Sequence, residues 1–228
     1  MFTVVHDCPP LVRSVLPVNG REPRRVRFSD CVVSVKTTSQ SRSRELLAYP
    51  RVHEVHEIAL GRAPGTVDGM DQNDVAHLRR CIELARQARA DGNEPFGSLL
   101  VGADGTVLTE LMNTVGTGDM TGHPELALAT WASMNLTVDE RAAATLYTSC
   151  ESCAMCAGGQ YWAAIGRLVF ALSGEQLADI VPPGGGRSLR LSSREVFARG
   201  DSPVDVEGPC DELAADALAV FDGFFARP

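Results

Sequence analysis

Two short stretches hold the residue types that do chemistry: HPELAL at 123–128 and CESCAMC at 150–156. The first sets a histidine, His123, two positions before a carboxylic acid, Glu125. The second sets two cysteines, Cys153 and Cys156, at CxxC spacing. A CxxC pair at the start of a helix lets both sulfurs reach one ion. The free N–H groups and positive dipole end there favour thiolate over thiol. Zinc takes nitrogen and thiolate ligands tetrahedrally. One imidazole and two thiolates fill three corners and leave the fourth open for water, as a catalytic site requires. A carboxylate beside that corner can take a proton from the activated water and deliver it to a departing group. Taken alone, each stretch has a plainer reading: the CxxC as a redox pair or two buried small residues, the HxE as chance. Cys150 is expected to end a strand and point into the core, with Cys81 and Cys210 as packing residues on helices.

The elements that must position these groups follow from periodicity. DQNDVAHLRRCIELARQARADG carries Val75, Leu78, Ile82, Leu84 and Ala85 on one helical stripe. Asp71 and Asp74 stand at its start and Gly92 past its end. The apolar runs 99–102 and 106–111 flank Asp104-Gly105, which predicts a hairpin. HPELALATWASMN has helical period, and Pro124 suits a first helical position. ATLYTSC (144–150) reads as a strand, CAMCAGGQYWAAIG as a small-residue helix, and RLVFAL (167–172) as a buried strand. A loop, a short strand or turn, and a last helix, CDELAADALAVFDGFF, complete the chain. Strands alternating with helices predict a layered α/β sandwich. The aromatic end, Phe221, Phe224 and Phe225, is expected to pack on the last helix or to cap the pocket of a partner subunit.

Of 228 residues, 44% are hydrophobic and 22% charged, which is ordinary for a globular protein that buries a sizeable core. No apolar run approaches the roughly 18 residues of a membrane span, and the first 20 residues lack a secretory leader pattern. Seven cysteines, three of them within residues 150–156, make a poor disulfide framework. A reducing, cytoplasmic setting is expected. Residues 1–69 hold ten of the 21 Lys and Arg residues but only seven of the 29 acids, and show little periodicity. They read as a poorly ordered N-terminal extension. Two other readings stay open: a basic targeting or partner-binding arm, and a native chain that starts at Met70. Residues 70–228 read as the functional domain, with a C-terminal tail at 173–228. They carry 11 basic and 22 acidic residues, a net charge near −11. Polyanionic RNA is held through Lys and Arg on phosphates, so a small-molecule substrate is favoured and nucleic acid disfavoured.

HxE followed by a CxxC pair is the pattern of zinc nucleobase deaminases. Residues 71–172 resemble the cytidine deaminase-like superfamily, and within it the guanine deaminase and tRNA adenosine deaminase branch. The stretches that carry the resemblance are NEPFGSLLV (93–101), TGHPELALA (121–129) and LYTSCESCAMCAGGQYWA (146–163). It implies a three-layer α/β/α sandwich around a mixed five-stranded sheet, with zinc on His123, Cys153 and Cys156 and Glu125 as proton shuttle. It also implies substrate contacts from Asn113, Phe96 and Ser152, the last through its carbonyl, and a homodimer. The implied reaction is hydrolytic deamination of a free nucleobase or nucleoside, such as guanine, with tRNA adenosine-to-inosine deamination as the alternative. A catalytically dead zinc scaffold, or another amino-heterocycle such as isoguanine, cytosine or a triazine, completes the range. Pro124 stands where alanine is common in the family and Ser152 where proline is usual. The segment 173–228 departs from the guanine deaminase tail.

Overall fold

A computed structural model of the chain describes residues 69–182 and 189–225. The expected N-terminal extension and its alternatives lie outside the described residues.

Helix α1 (Gln72–Ala90) starts where Asp71 accepts from the backbone N–H groups of Asn73 and Asp74, while Asp74 reaches back to the N–H of Asp71. This reciprocal cap fixes the first turn. Strands β1 (Gly97–Val101) and β2 (Val107–Met112) form the predicted antiparallel hairpin. Gly105 occupies the left-handed region at φ 82°, where a side chain would be strained. Helices α2 (Pro124–Asn135) and α3 (Val138–Ala142) lead to strand β3 (Thr145–Cys150). Helix α4 (Ala154–Ala163) then crosses to strand β4 (Arg167–Leu172). Helices α5 (Gly174–Ile180) and α6 (Ser193–Phe197), strand β5 (Asp205–Glu207), a 3-10 turn (Asp211–Leu213) and helix α7 (Ala214–Ala219) complete the order. The last helix is thus shorter than the sequence predicts, and Cys210 sits just before the 3-10 turn rather than on a helix.

The sheet runs β2-β1-β3-β4-β5. β1 is antiparallel to β2 and β3, whereas β3, β4 and β5 are parallel, so the sheet is mixed as expected. Side chains alternate across it. Leu99, Tyr147, Val169 and Ala171 face a layer built from α1, the 3-10 turn and α7, packing with Leu78, Ile82 and Leu213. Leu100, Leu146, Leu168 and Phe170 face the opposite layer, with Leu128, Ala157 and Phe197 from α2, α4 and α6. Burying a side chain of this size is worth about 1.5–3 kcal/mol. Two apolar layers on a sheet apolar on both faces account for the sandwich.

One polar network runs through it. Arg167 of β4 meets Asp74 with both terminal nitrogens (2.8 and 2.9 Å) and Glu207 of β5 at 3.0 Å, and the Tyr147 hydroxyl donates to Asp74 at 2.6 Å. Burial would raise the Asp74 pKa, but the bonds from Arg167 and Tyr147 outweigh it and hold the carboxyl below its ordinary value. The pairing ties α1 to three strands.

Candidate metal centre and active site

Parallel strands β3 and β4 end side by side, with Cys150 opposite Leu172 and the Glu151 N–H bonded to the Leu172 carbonyl at 2.8 Å. Beyond the carboxyl ends of parallel strands lies the usual crevice of an α/β sheet, and the chain there enters α4. Cys153 is the residue before the first turn of α4, and His123 holds the same place on α2. The two helices pack closely because Gly159 lets Leu126 approach. A Cβ at Gly159 would stand 2.6 Å from the Leu126 side chain. The two N-termini therefore meet.

The imidazole Nδ1 of His123 lies 3.7 Å from Cys153 Sγ and 3.6 Å from Cys156 Sγ, and the sulfurs lie 3.6 Å apart. A tetrahedral zinc with ordinary bond lengths puts two sulfurs about 3.8 Å apart and a nitrogen and a sulfur about 3.6 Å apart. The triangle thus fits the ion, and it is the one such cluster of His, Cys, Asp and Glu among the described residues. Cys150, buried at the end of β3, faces the α1 layer and stays outside it. The three groups also share protons through their hydrogen bonds. The hydrogen bond from Cys156, helped by His123, pulls the Cys153 thiol down to about 4, although burial opposes this. Cys156 retains its proton because it donates to Cys153. His123 is raised by its bond to the Cys153 sulfur.

Glu125 occupies the first turn of α2 and is 4% exposed. Burial raises its pKa, while a hydrogen bond from Thr148 to Oε1, at 2.7 Å, works against the rise. Its carboxyl lies within electrostatic range of His123 and Cys153.

The remaining residues singled out from the sequence divide. Asn113 follows β2 and is fully buried. Its Oδ1 accepts from the Val115 N–H at 3.0 Å, and its Nδ2 has no partner among the described residues. Ser152, next to Cys153, is also buried with an unpartnered hydroxyl. Buried polar groups are rarely left so, at a cost of about 1–3 kcal/mol each. Phe96 is half-buried and packs edge-on against Phe221, ring centres 5.6 Å apart, and Phe221 stacks on Phe225. The aromatic end of the chain thus folds back onto its own core. It borders an apolar cleft of about 470 Å³ lined by Ile180, Pro182, Leu218, Phe221 and Phe225. Sequence reasoning missed two residues that bear on the site. Thr148 gave no signal, since threonine is common in strands. Glu151, which accepts from the Ser193 hydroxyl and from the N–H groups of Gly174 and Ser193 and so ties the metal loop to α5 and α6, gave none either.

A mixed sheet between helix layers, with one imidazole and two cysteine sulfurs meeting at two helix N-termini, defines a zinc-dependent enzyme of the cytidine deaminase-like fold. Residues 71–172 match the cytidine and deoxycytidylate deaminase zinc-binding region. The chain belongs to this family: it is 34% identical over 157 residues to a probable cytosine deaminase of Schizosaccharomyces pombe, which spans 68% of this chain and 94% of that protein. It is also 38% identical over 93 residues to the guanine deaminase of Bacillus subtilis, covering 40% of this chain and 59% of that protein. The solved guanine deaminase of Nitrosomonas europaea has the same fold, with a TM-score of 0.51 at 22% identity, covering 72% of this chain and 97% of that one.

Proposed function

We propose that residues 70–228 form a deaminase domain that hydrolyses the exocyclic amine of a free nucleobase or nucleoside, giving the oxo-heterocycle and ammonia. The observation that carries this reading is the convergence of His123, Cys153 and Cys156 beside a buried Glu125. His123 Nδ1 and the two sulfurs would hold zinc, which when bound would activate water near neutral pH. Glu125 takes one proton from water as it attacks the amine-bearing ring carbon and gives it to the ring nitrogen. It then takes the second proton from the hydroxyl now on that carbon and gives it to the amine, which leaves as ammonia while the carbonyl forms. The unpartnered Nδ2 of Asn113 donates to the heterocycle, the Ser152 carbonyl accepts from the amine, and Phe96 walls the ring.

A free base or nucleoside is favoured over tRNA by the net charge near −11 of residues 70–228. One relative that matches well beyond the zinc-binding region is named a probable cytosine deaminase, and the guanine deaminase match covers 93 residues. An aminopyrimidine therefore stands beside guanine as a first substrate to try. Free cysteines throughout the described residues fit a cytoplasmic setting. The test is ammonia release from a panel of bases and nucleosides by protein of measured zinc content. We expect one or a few free bases or nucleosides to be turned over and tRNA to show no shift at physiological salt. Deamination of tRNA alone would overturn the reading.

The chain acts as a homodimer in this reading. Trp162 on α4 is 86% exposed and Met134 on α2 is 80% exposed, two large apolar side chains on the helices that begin at His123 and Cys153. Trp162→Glu is expected to halve the mass measured by light scattering. A wild-type monomer, or an unaltered mass for the variant, would contradict this.

A further inference from the structure

We propose that Thr148, itself seated by Ser98, is a positioning residue for Glu125: it holds one carboxylate oxygen in a fixed direction, so that only the other carries the proton. The inference rests on Glu125 being the proton carrier.

The geometry comes from three elements. Ser98 of β1 and Thr148 of β3 are paired across the sheet, and neither has exposed surface. The Ser98 hydroxyl donates to Thr148 Oγ1 at 2.9 Å, and the Thr148 hydroxyl donates to Glu125 Oε1 at 2.7 Å. A hydroxyl has one hydrogen to give. Because Thr148 accepts from Ser98, its own hydrogen is committed to the carboxylate. Oε2 takes no hydrogen bond from another side chain among the described residues, and the one further donor to the carboxyl is the backbone N–H of Glu125 itself. The two oxygens of Glu125 are thus unlike: Oε1 is anchored to the sheet and Oε2 is left for chemistry.

Core packing alone does not call for this arrangement. Ser98 and Thr148 lie in strands whose other inward residues on that face, Leu100 and Leu146, are apolar. Two buried hydroxyls cost stability unless bonded. Here their bonds run in sequence to a single end, the carboxylate. A carboxyl in the first turn of a helix otherwise rotates about several single bonds. Catalytic groups need their rotamers locked by neighbours, because small misplacements cost large rate factors.

The test uses the zinc-loaded full chain and steady-state ammonia release on the substrate found by the screen above. Thr148→Val keeps the shape and removes the hydroxyl. We expect its kcat to fall about 10–100-fold, the range seen when a hydrogen-bond partner that orients a metal-site ligand is removed, with KM and zinc per chain unchanged. Thr148→Ser, which restores the hydroxyl, should recover most of the rate. Ser98→Ala should lower kcat less than Thr148→Val. The inference is overturned if Thr148→Val keeps the wild-type kcat, if Thr148→Ser is as slow as Thr148→Val, or if the loss falls in KM or zinc content. Should Thr148→Val not fold, Ser98→Ala decides, and an unchanged kcat there overturns it. Glu125→Gln, run alongside, separates the two readings. An active Glu125→Gln removes the proton carrier and this inference with it. An inactive Glu125→Gln beside a fully active Thr148→Val removes the positioning role alone.

Discussion

Glu125→Gln protein is expected to fold, bind a full complement of zinc, and lose kcat by about 10²–10⁴-fold, the usual contribution of a positioned proton carrier. The amide has nearly the shape of the carboxyl and its oxygen can still accept from Thr148, so the buried end of the side chain remains satisfied. What it cannot do is take a proton from water and return it to a ring nitrogen. Glu125 is not among the three groups that fit the ion, so zinc content separates loss of chemistry from loss of metal. Metal analysis and ammonia release on one sample check both. A variant that turns over at near the wild-type rate would remove Glu125 from the mechanism.

The second large effect concerns the sulfurs. Cys153→Ala leaves one imidazole and one thiol where three donors stood, and is expected to abolish measurable turnover and to lower zinc per chain severely. Structural and catalytic zinc sites owe their affinity to the complete set of deprotonated ligands. Stripping the metal from the wild-type protein should have a further signature. With no cation present, the bond from Cys156 holds Cys153 near a pKa of about 4, so a thiolate persists at neutral pH. Alkylation by iodoacetamide, followed by mass spectrometry of the peptides, should mark Cys153 first among the cysteines of the described residues in stripped protein and be blocked there by added zinc. Cys150, whose thiol burial pushes well up, should stay unmodified. Equal labelling of Cys150 and Cys153, or no protection by zinc, would contradict the geometry.

The sequence reading reached the parts of this molecule that local pattern controls. The stripe from Val75 to Ala85 and its acidic start defined α1, and Asp104-Gly105 defined the hairpin. His123 and Cys153 were legible as helix starts, and both precede their first helical residue. Apolar periodicity does not reveal helices of five to seven residues, so α3, α5 and α6 were unassigned. Another local signal was present. Thr137 with Glu140, Ser173 with Gln176, and Ser192 with Glu195 each form a reciprocal cap at those helix starts. What no local signal carries is register. Thr148 meets Glu125 only because β3 lies beneath α2, and Phe221 meets Phe96 only because the chain end returns to the α1 layer. Those contacts join residues 23 and 125 positions apart in the chain, and they decide how the site is supported.

The central claim is a single zinc held by one nitrogen and two sulfurs. Diffraction data from crystals of zinc-loaded protein, collected on both sides of the zinc absorption edge, test it most directly. The account predicts one strong anomalous peak per chain, bonded to His123 Nδ1 at about 2.0–2.1 Å and to the sulfurs of Cys153 and Cys156 at about 2.3 Å. A peak on other residues, a fourth protein ligand closing the site, or no peak from protein grown with zinc would contradict it.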